Sequence, residues 1–442
     1  MPNEFFKKHP ELLGAQKDTY SALCTSVPAV IEHLKSSVQN LCHNVKGLGG
    51  FFLITMSENM THCKSVPNAI ECDRCKNVST AKLISDVIKA INEPARAEIP
   101  DIKVIAWTWA WNKMTKEEMA ECISSLPQNV IIQSTSETAK PFCIAGIEGA
   151  IGDYSMSIIG PSDVSKNTWK LAKNSGKDIC AKVQINNTWE CSTMPYLPVF
   201  DLVREHMINL KNEGIKNILL SWTLGGYPSL NLKIANQCFL DDSENAYNTV
   251  LQEEFGEDWE KVKMASTYFS EGFREFPFHI RVLYNGPQNG GPSNLLHLNK
   301  TNFNATMTCY AYDALDSWRS IYPKEIFREQ FKKLCEKWKK GLDLIQDMPD
   351  CEFKHMAYGG YLLFYSSYLQ IDFIMQRDDG NTAALFDIAE KEKQNARTMY
   401  ELMLRNSAIG YEAANNYSFN KMMLAEKYIS CEYIQEKTAN KA

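Results

Sequence analysis

Phe51-Phe52-Leu53-Ile54-Thr55-Met56-Ser57-Glu58-Asn59 decides the reading of this chain. It is a short apolar run, rich in aromatic and β-branched residues, that ends in a carboxylate. Four more such runs end in a carboxylate or a tryptophan. Val104-Ile105-Ala106 leads into Trp107-Thr108-Trp109-Ala110-Trp111-Asn112, and Val130-Ile131-Ile132 into Ser134-Thr135-Ser136-Glu137. Cys180-Ala181-Lys182-Val183-Gln184-Ile185 leads into Asn186-Asn187-Thr188-Trp189-Glu190, and Ile218-Leu219-Leu220 into Ser221-Trp222-Thr223. Such runs read as strands. Chemistry gathered at strand C-termini is the pattern of a βα barrel.

Helical patterns separate these strands. Ser79 is placed to cap a helix through Leu83, Val87, Ile88 and Ile91, and Thr115-Lys116-Glu117-Glu118 has the form of a capping box. That second helix carries Met119, Cys122 and Ile123 and stops before Pro127. Helices over 165–175 and 198–213 end at Gly176 and Gly214. Asp153-Tyr154-Ser155-Met156-Ser157-Ile158-Ile159 alternates and reads as a further strand, for six in all. Strands alternating with helices indicate βαβ units and a parallel sheet. The expected fold is α/β, a TIM-type (β/α)8 barrel lacking its first strands, with only a helix (27–41) upstream. An open side of this kind would expose Phe51, Leu53 and Val104. Beyond 236 the pattern turns helical over 243–275, 313–347, 356–376 and 381–430. The expected domains are a barrel over 1–235 and a mainly helical domain over 236–442. Pro287-Gln288-Asn289-Gly290-Gly291-Pro292 reads as a turn-rich loop within the second.

Composition narrows the function classes. Of 442 residues, 44% are hydrophobic, enough for a sizeable core, and the formal charge of -6 argues against a nucleic-acid partner. No apolar signal region follows Met1, and no stretch reaches the length of a membrane span, so a cytoplasmic protein without a membrane partner is expected. The 14 cysteines are scattered, many in apolar runs, and read as reduced thiols. Oligomeric state is not legible.

Glu58, Glu137 and Glu190 follow strands and Asp153 begins one. Glycoside hydrolysis needs one protonated acid and a second carboxylate as nucleophile or base, about 5–5.5 Å away in retaining enzymes and about 6.5–9.5 Å in inverting ones. The ordinary alternative for any one strand-end Glu is a helix cap or a lysine pair; recurrence on three strands lowers its weight. Trp107, Trp109 and Trp111 alternate and so share one face of an extended segment. Trp107, deeper in the strand, reads as core. Trp109, Trp111, Trp189 and Trp222 read as rings for a sugar face, Tyr227 as a side chain presented to the cleft, and Asn186 and Asn187 as amide donors to sugar hydroxyls.

His62-Cys63 followed by Cys72-Asp73-Arg74-Cys75 offers a Cys₃His set for a structural zinc. Reduced surface thiols, or a disulfide in a secreted relative, are the plain alternatives. No other cofactor is called for.

The segments His9-Pro10-Glu11, Leu23-Cys24-Thr25-Ser26, Ser57-Glu58-Asn59 with its cysteine cluster, Ala181 to Glu190 and Leu220 to Ser229 resemble an uncharacterised family of bacterial glycoside-hydrolase-like (β/α)8 proteins, related at a distance to hexosaminidases and α-glucuronidases. The resemblance covers most of 9–320. It implies an acid at Glu58 on the fourth barrel strand, with three strands preceding Met1. Ser57 stands where acetamido-assisted hexosaminidases carry Asp, which counts against acetamido-assisted chemistry, and Thr108 stands where some relatives would carry Asp, which removes one more carboxylate. The expected function is an exo-acting glycoside hydrolase, with Glu58 as general acid, Glu137 or Glu190 as partner, Asp153 as auxiliary acid and a carbohydrate substrate. The alternative is an inactive carbohydrate-binding or interaction paralogue with the same barrel.

Overall fold

The computed structural model describes all residues except 153, 222–224, 309, 411–418 and 440–442. Nine strands form among the described residues. β1 (Leu13–Lys17) and β2 (Tyr20–Leu23) pair as an antiparallel hairpin. β3 (Gly50–Ile54), β4 (Lys103–Trp107), β5 (Val130–Thr135), β8 (Ile179–Val183) and β9 (Asn217–Leu220) form one sheet in that order, and β6 (Pro141–Ile144) and β7 (Ile147–Ala150) form a second hairpin. The first three pairings of the five-stranded sheet are parallel, with Phe52 opposite Ile105, Ala106 opposite Ile132 and Gln133 opposite Cys180. The sheet is curled, half of a barrel.

Five of the six expected strands are present. The exception is 153–159: Tyr154 to Ile159 carries no strand. Its serines bond a buried carboxylate instead, an outcome open to Ser side chains that compete for local polar groups. Both hairpins escaped the sequence reading, including one in the region read as holding only a helix.

β5 and β8 are buried along their whole length. That is the pattern of parallel strands covered on both faces. Leu53 and Val104 are buried as well, and Phe51 is half-buried. Phe51 packs in a cluster with Val38 and Cys42 of the helix Pro28–Asn44, Ala95 of the helix Thr80–Glu98, and Ile102. None of the three residues expected on an exposed face is exposed, and Phe51 packs under two helices.

The caps form as the sequence dictates. Ser79 Oγ accepts from Lys82 N–H at 3.1 Å. Thr115 and Glu118 complete a reciprocal capping box on the helix Lys116–Ser125, and Met119, Cys122 and Ile123 make up its buried face.

The chain divides into two compact units, each discontinuous in sequence. One comprises Met1–Thr135, Asp163–Lys182 and Ile215–Ile218; the other comprises Ser136–Ser162, Val183–Gly214 and Leu219–Ala442. From Leu230 onward the described regular elements are helical. In the helix Lys324–Ile345, Phe327, Phe331, Leu334, Trp338, Leu342 and Ile345 are buried at helical spacing. Gly341 on that helix lies where a Cβ would come 2.7 Å from the Ala265 carbonyl oxygen, so only glycine permits this approach to the helix Trp259–Phe273. Pro287 to Pro292 is buried and forms two short 3₁₀ turns.

Candidate active site

The three glutamates follow three strands of the sheet, but their surroundings differ. Glu58 lies in the loop after β3 and is exposed. Glu137 and Glu190 belong to the other unit and are both 0% exposed.

Glu137 follows the end of β5 by two residues. Neither of its carboxylate oxygens receives a hydrogen bond. His206 Nε2 lies 3.0 Å from Glu137 Oε1 and 2.8 Å from Ser136 Oγ. The first contact is close enough for an ion pair when the imidazole is protonated, although it is not aligned as a hydrogen bond. His206 belongs to the helix Phe200–Asn212 and is itself buried. Gly160 closes the group: a Cβ there would lie 2.1 Å from Ser136 Oγ and 3.0 Å from His206 Nε2. A buried carboxylate without donors is costly and needs a compensating charge or proton. One histidine nitrogen between a hydroxyl and a carboxylate supplies such a proton partner. His206 and Ser136 were not among the residues read from sequence; the helix brings His206 back from 70 positions beyond Ser136.

Glu190 is held in the opposite way. Its Oε1 accepts from Ser155 Oγ at 3.0 Å, Ser157 N–H at 3.1 Å and the Ser157 hydroxyl; Oε2 accepts from Met156 N–H at 2.6 Å and Thr188 Oγ1 at 2.7 Å. Five donors fill the roughly four lone-pair sites of a carboxylate. Burial pushes the Glu190 pKa up, against the downward pull of the Ser157, Met156 and Thr188 donors.

The expected sugar contacts are mostly committed elsewhere. Asn186 Nδ2 donates to the carbonyls of Gly225 (3.1 Å) and Tyr227 (2.6 Å), and its Oδ1 accepts from Ser229 Oγ. Asn187 Nδ2 donates to the Ser192 carbonyl at 3.0 Å and to that of Met194. Both amides stitch loops of their own unit together. Trp107 is core, donating from Nε1 to Thr135 Oγ1 at 3.1 Å. Trp111 is fully buried as well, with Nε1 on Thr55 Oγ1 at 3.1 Å, so its ring presents no face to a ligand. The alternation expected over 107–111 breaks at Ala110, whose φ of 62° turns the chain into a 3₁₀ turn. Trp109 remains half-buried, stacked on Trp107 at 4.7 Å. Trp189 is 7% exposed, edge-on to Tyr284, and its Nε1 has no hydrogen-bond partner. Tyr227 is half-buried; its hydroxyl donates to Glu352 at 2.6 Å, and burial with that bond raises its pKa to about 12. A cavity of about 360 Å³ lies beside it, lined by Tyr196, Pro228, Lys233, Glu254 and Glu352 among others. Asp153 and Trp222 lie outside the described residues.

The thiols gather differently from the expected set. Cys24, Cys63, Cys72 and Cys75 bring their sulfurs within 4.8 Å of one another. His62 is buried, but its Nδ1 accepts from Lys64 N–H at 3.2 Å, and Cys24 takes the fourth place.

No family model matches the chain, and no curated protein matches it. Among solved structures, a GH138 enzyme targeting pectin rhamnogalacturonan II is similar in fold, with a TM-score of 0.52 at 10% identity over 93% of this chain. The chain spans about half of that enzyme, 53% of its length. The likeness is one of fold. No described helix is long and apolar enough to cross a membrane.

Proposed function

We propose that the chain is a glycoside hydrolase, with Glu137 as its working carboxylate. The observation that carries this reading is the state of Glu137: it stands at a strand C-terminus, buried, without hydrogen-bond donors, and 3.0 Å from an imidazole nitrogen. A general acid must hold a proton until the leaving oxygen takes it. The Glu137–His206–Ser136 group is suited to holding and returning one. Glu190, with its five donors, fixes the 155–157 loop of the same unit. Trp189, in the same unit as Glu137, is the ring proposed to meet a sugar. The likeness to a GH138 enzyme supports the reaction class.

The test is hydrolysis of a panel of nitrophenyl glycosides and plant cell-wall oligosaccharides. Turnover is expected on at least one substrate, with the Glu137→Gln variant slower by about 10²- to 10⁴-fold. Full activity in that variant would remove Glu137 from the chemistry.

A second reading has its own observation. Glu137 and Glu190 are both wholly buried, and Glu190 has every acceptor site filled. That favours a carbohydrate-binding paralogue that keeps the barrel without turnover. Saturable oligosaccharide binding by calorimetry, unchanged in Glu137→Gln and without product, would select it.

A further inference from the structure

We infer that Cys24, Cys63, Cys72 and Cys75 form a tetrathiolate zinc site that fastens the N-terminal hairpin to the loop carrying Glu58. The sequence spacing suggested His62 as a ligand; the geometry replaces it with Cys24, at the end of the hairpin. Cys24 Sγ lies 3.5 Å from Cys75 Sγ and 3.7 Å from Cys72 Sγ. A regular tetrahedron with Zn–S near 2.3 Å has sulfurs about 3.8 Å apart. A disulfide holds its sulfurs at about 2.05 Å, and all four cysteines are free thiols. The observed spacing belongs to sulfurs around a common centre, not to two bridges.

The surroundings are those of a metal-thiolate site. All four sulfurs are buried in one cluster with Ala15 and Leu83, edged by Val27, Met60, Ala69 and Val78. Four thiols facing one another in an apolar cluster gain little from packing alone, but as thiolates on a cation they would be fixed in place. Backbone N–H groups point at the sulfurs: Ala15 toward Cys63 and Ser26 toward Cys24. Ser26 Oγ is 3.2 Å from Cys75 Sγ, and Arg74 Nε donates to Cys24 Sγ at 3.4 Å. Four thiolates on Zn²⁺ carry two net negative charges, which the Arg74 guanidinium and the amide dipoles offset; such outer contacts orient metal ligands. The Cys72–Cys75 turn is shaped as a knuckle, with the N–H groups of Cys75 and Lys76 both on the Cys72 carbonyl at 2.9 Å. Lys64 Nζ reaches the Val78 carbonyl at 2.7 Å and closes the loop from the far side. Gly14 leaves room for sulfur: a Cβ there would lie 2.7 Å from Cys63 Sγ and 2.8 Å from the Ala22 carbonyl oxygen. With every ligand a protein sulfur, no coordination position remains for water. The site is structural, not catalytic.

The experiment is zinc analysis and zinc-edge X-ray absorption on the full chain, purified under reducing conditions. About one zinc per chain is expected, with four sulfur neighbours near 2.3 Å and no nitrogen. Cys24→Ser should lose the metal and His62→Ala should keep it. Should Cys24→Ser fail to fold, X-ray absorption on the unaltered chain decides, since four sulfur neighbours with no nitrogen exclude a Cys₃His set. Four freely titrating thiols without zinc, two disulfides by mass, or a nitrogen neighbour lost in His62→Ala would each overturn the assignment. None of these readouts depends on turnover, so the site stands or falls apart from the hydrolase reading.

Discussion

Each oxygen of the Glu190 carboxylate receives a backbone N–H, Ser157 on one and Met156 on the other, and a backbone donor cannot rotate away. An amide in place of the carboxylate must set its NH₂ against one of them. Glu190→Gln should therefore lower unfolding stability by about 1–3 kcal/mol, the cost of an unsatisfied buried donor. Equal urea midpoints for the variant and the parent would show that the loop adapts. At this scale the sequence was informative about which residues matter and silent about their partners. Strand-end position marked Glu137 and Glu190. Nothing in the local sequence marked His206, Ser155 or Ser157, because each pairing is made by tertiary folding across tens of residues. The same holds for Cys24, separated from the other three thiols by a whole helix and strand, whereas His62 sat next to Cys63 and suited the spacing.

Thr115 and Glu118 show what an element owes to its ends. Thr115 Oγ1 accepts from Glu118 N–H at 3.1 Å, and Glu118 Oε2 from Thr115 N–H at 3.0 Å. Thr115→Ala removes one half of this exchange and should cost about 1 kcal/mol. Amide exchange should quicken first in the opening turn of the helix Lys116–Ser125; unchanged protection there would mean that packing of Met119, Cys122 and Ile123 holds the turn without the cap. Elements with such end signals, or with apolar periodicity, were legible. The hairpins were not. β6 and β7 turn through Ala145 and Gly146, both at positive φ (50° and 78°), a tight turn that Asn-Gly would have announced and Ala-Gly conceals. Tyr154 to Ile159 failed in reverse: its alternation suits a strand, but Ser155 and Ser157 spend their polar groups on Glu190.

Across the whole molecule, the helical part was legible as helices but not as an assembly. The pairings that fix it are buried and ionic. Asp313 lies 2.7 Å from Arg377 Nη1 and accepts from Thr301 N–H at 3.0 Å, and Arg377 also bonds the His297 carbonyl at 2.9 Å. Burial works to raise the Asp313 pKa, but the bonds from Thr301 and Arg377 outweigh it and hold the carboxyl below the ordinary aspartate range. A depressed folded pKa gives stability that is present above the unfolded value, near 3.9, and is lost as pH falls through the folded value. Asp313→Asn should lose about 1–3 kcal/mol at neutral pH by removing the buried charge that faces Arg377, whose remaining carboxylate partner is the exposed Asp378 at 3.0 Å, and should flatten the acid limb of the stability curve below pH 4. An acid limb of unchanged slope would place the sensitive carboxylate elsewhere. Curvature of the sheet was likewise beyond the sequence, since the run-and-acid pattern reports strand ends, not closure.

The buried turn at Asn289 has a consequence for synthesis. Ser192 Oγ and Thr193 Oγ1, just past Glu190, donate to Asn289 at 2.9 and 2.7 Å. Ser192 must wait for a residue 97 positions further on. At about 5–20 residues per second, the nascent segment after β8 stays without that anchor for roughly 5–20 s on the ribosome. Asn294, beside the same turn, then waits for Gln370 and finally for Lys427, 133 positions later. Newly made chains therefore pass through an interval in which this segment is open to chaperones, and a premature stop anywhere before residue 289 releases a product that cannot close it.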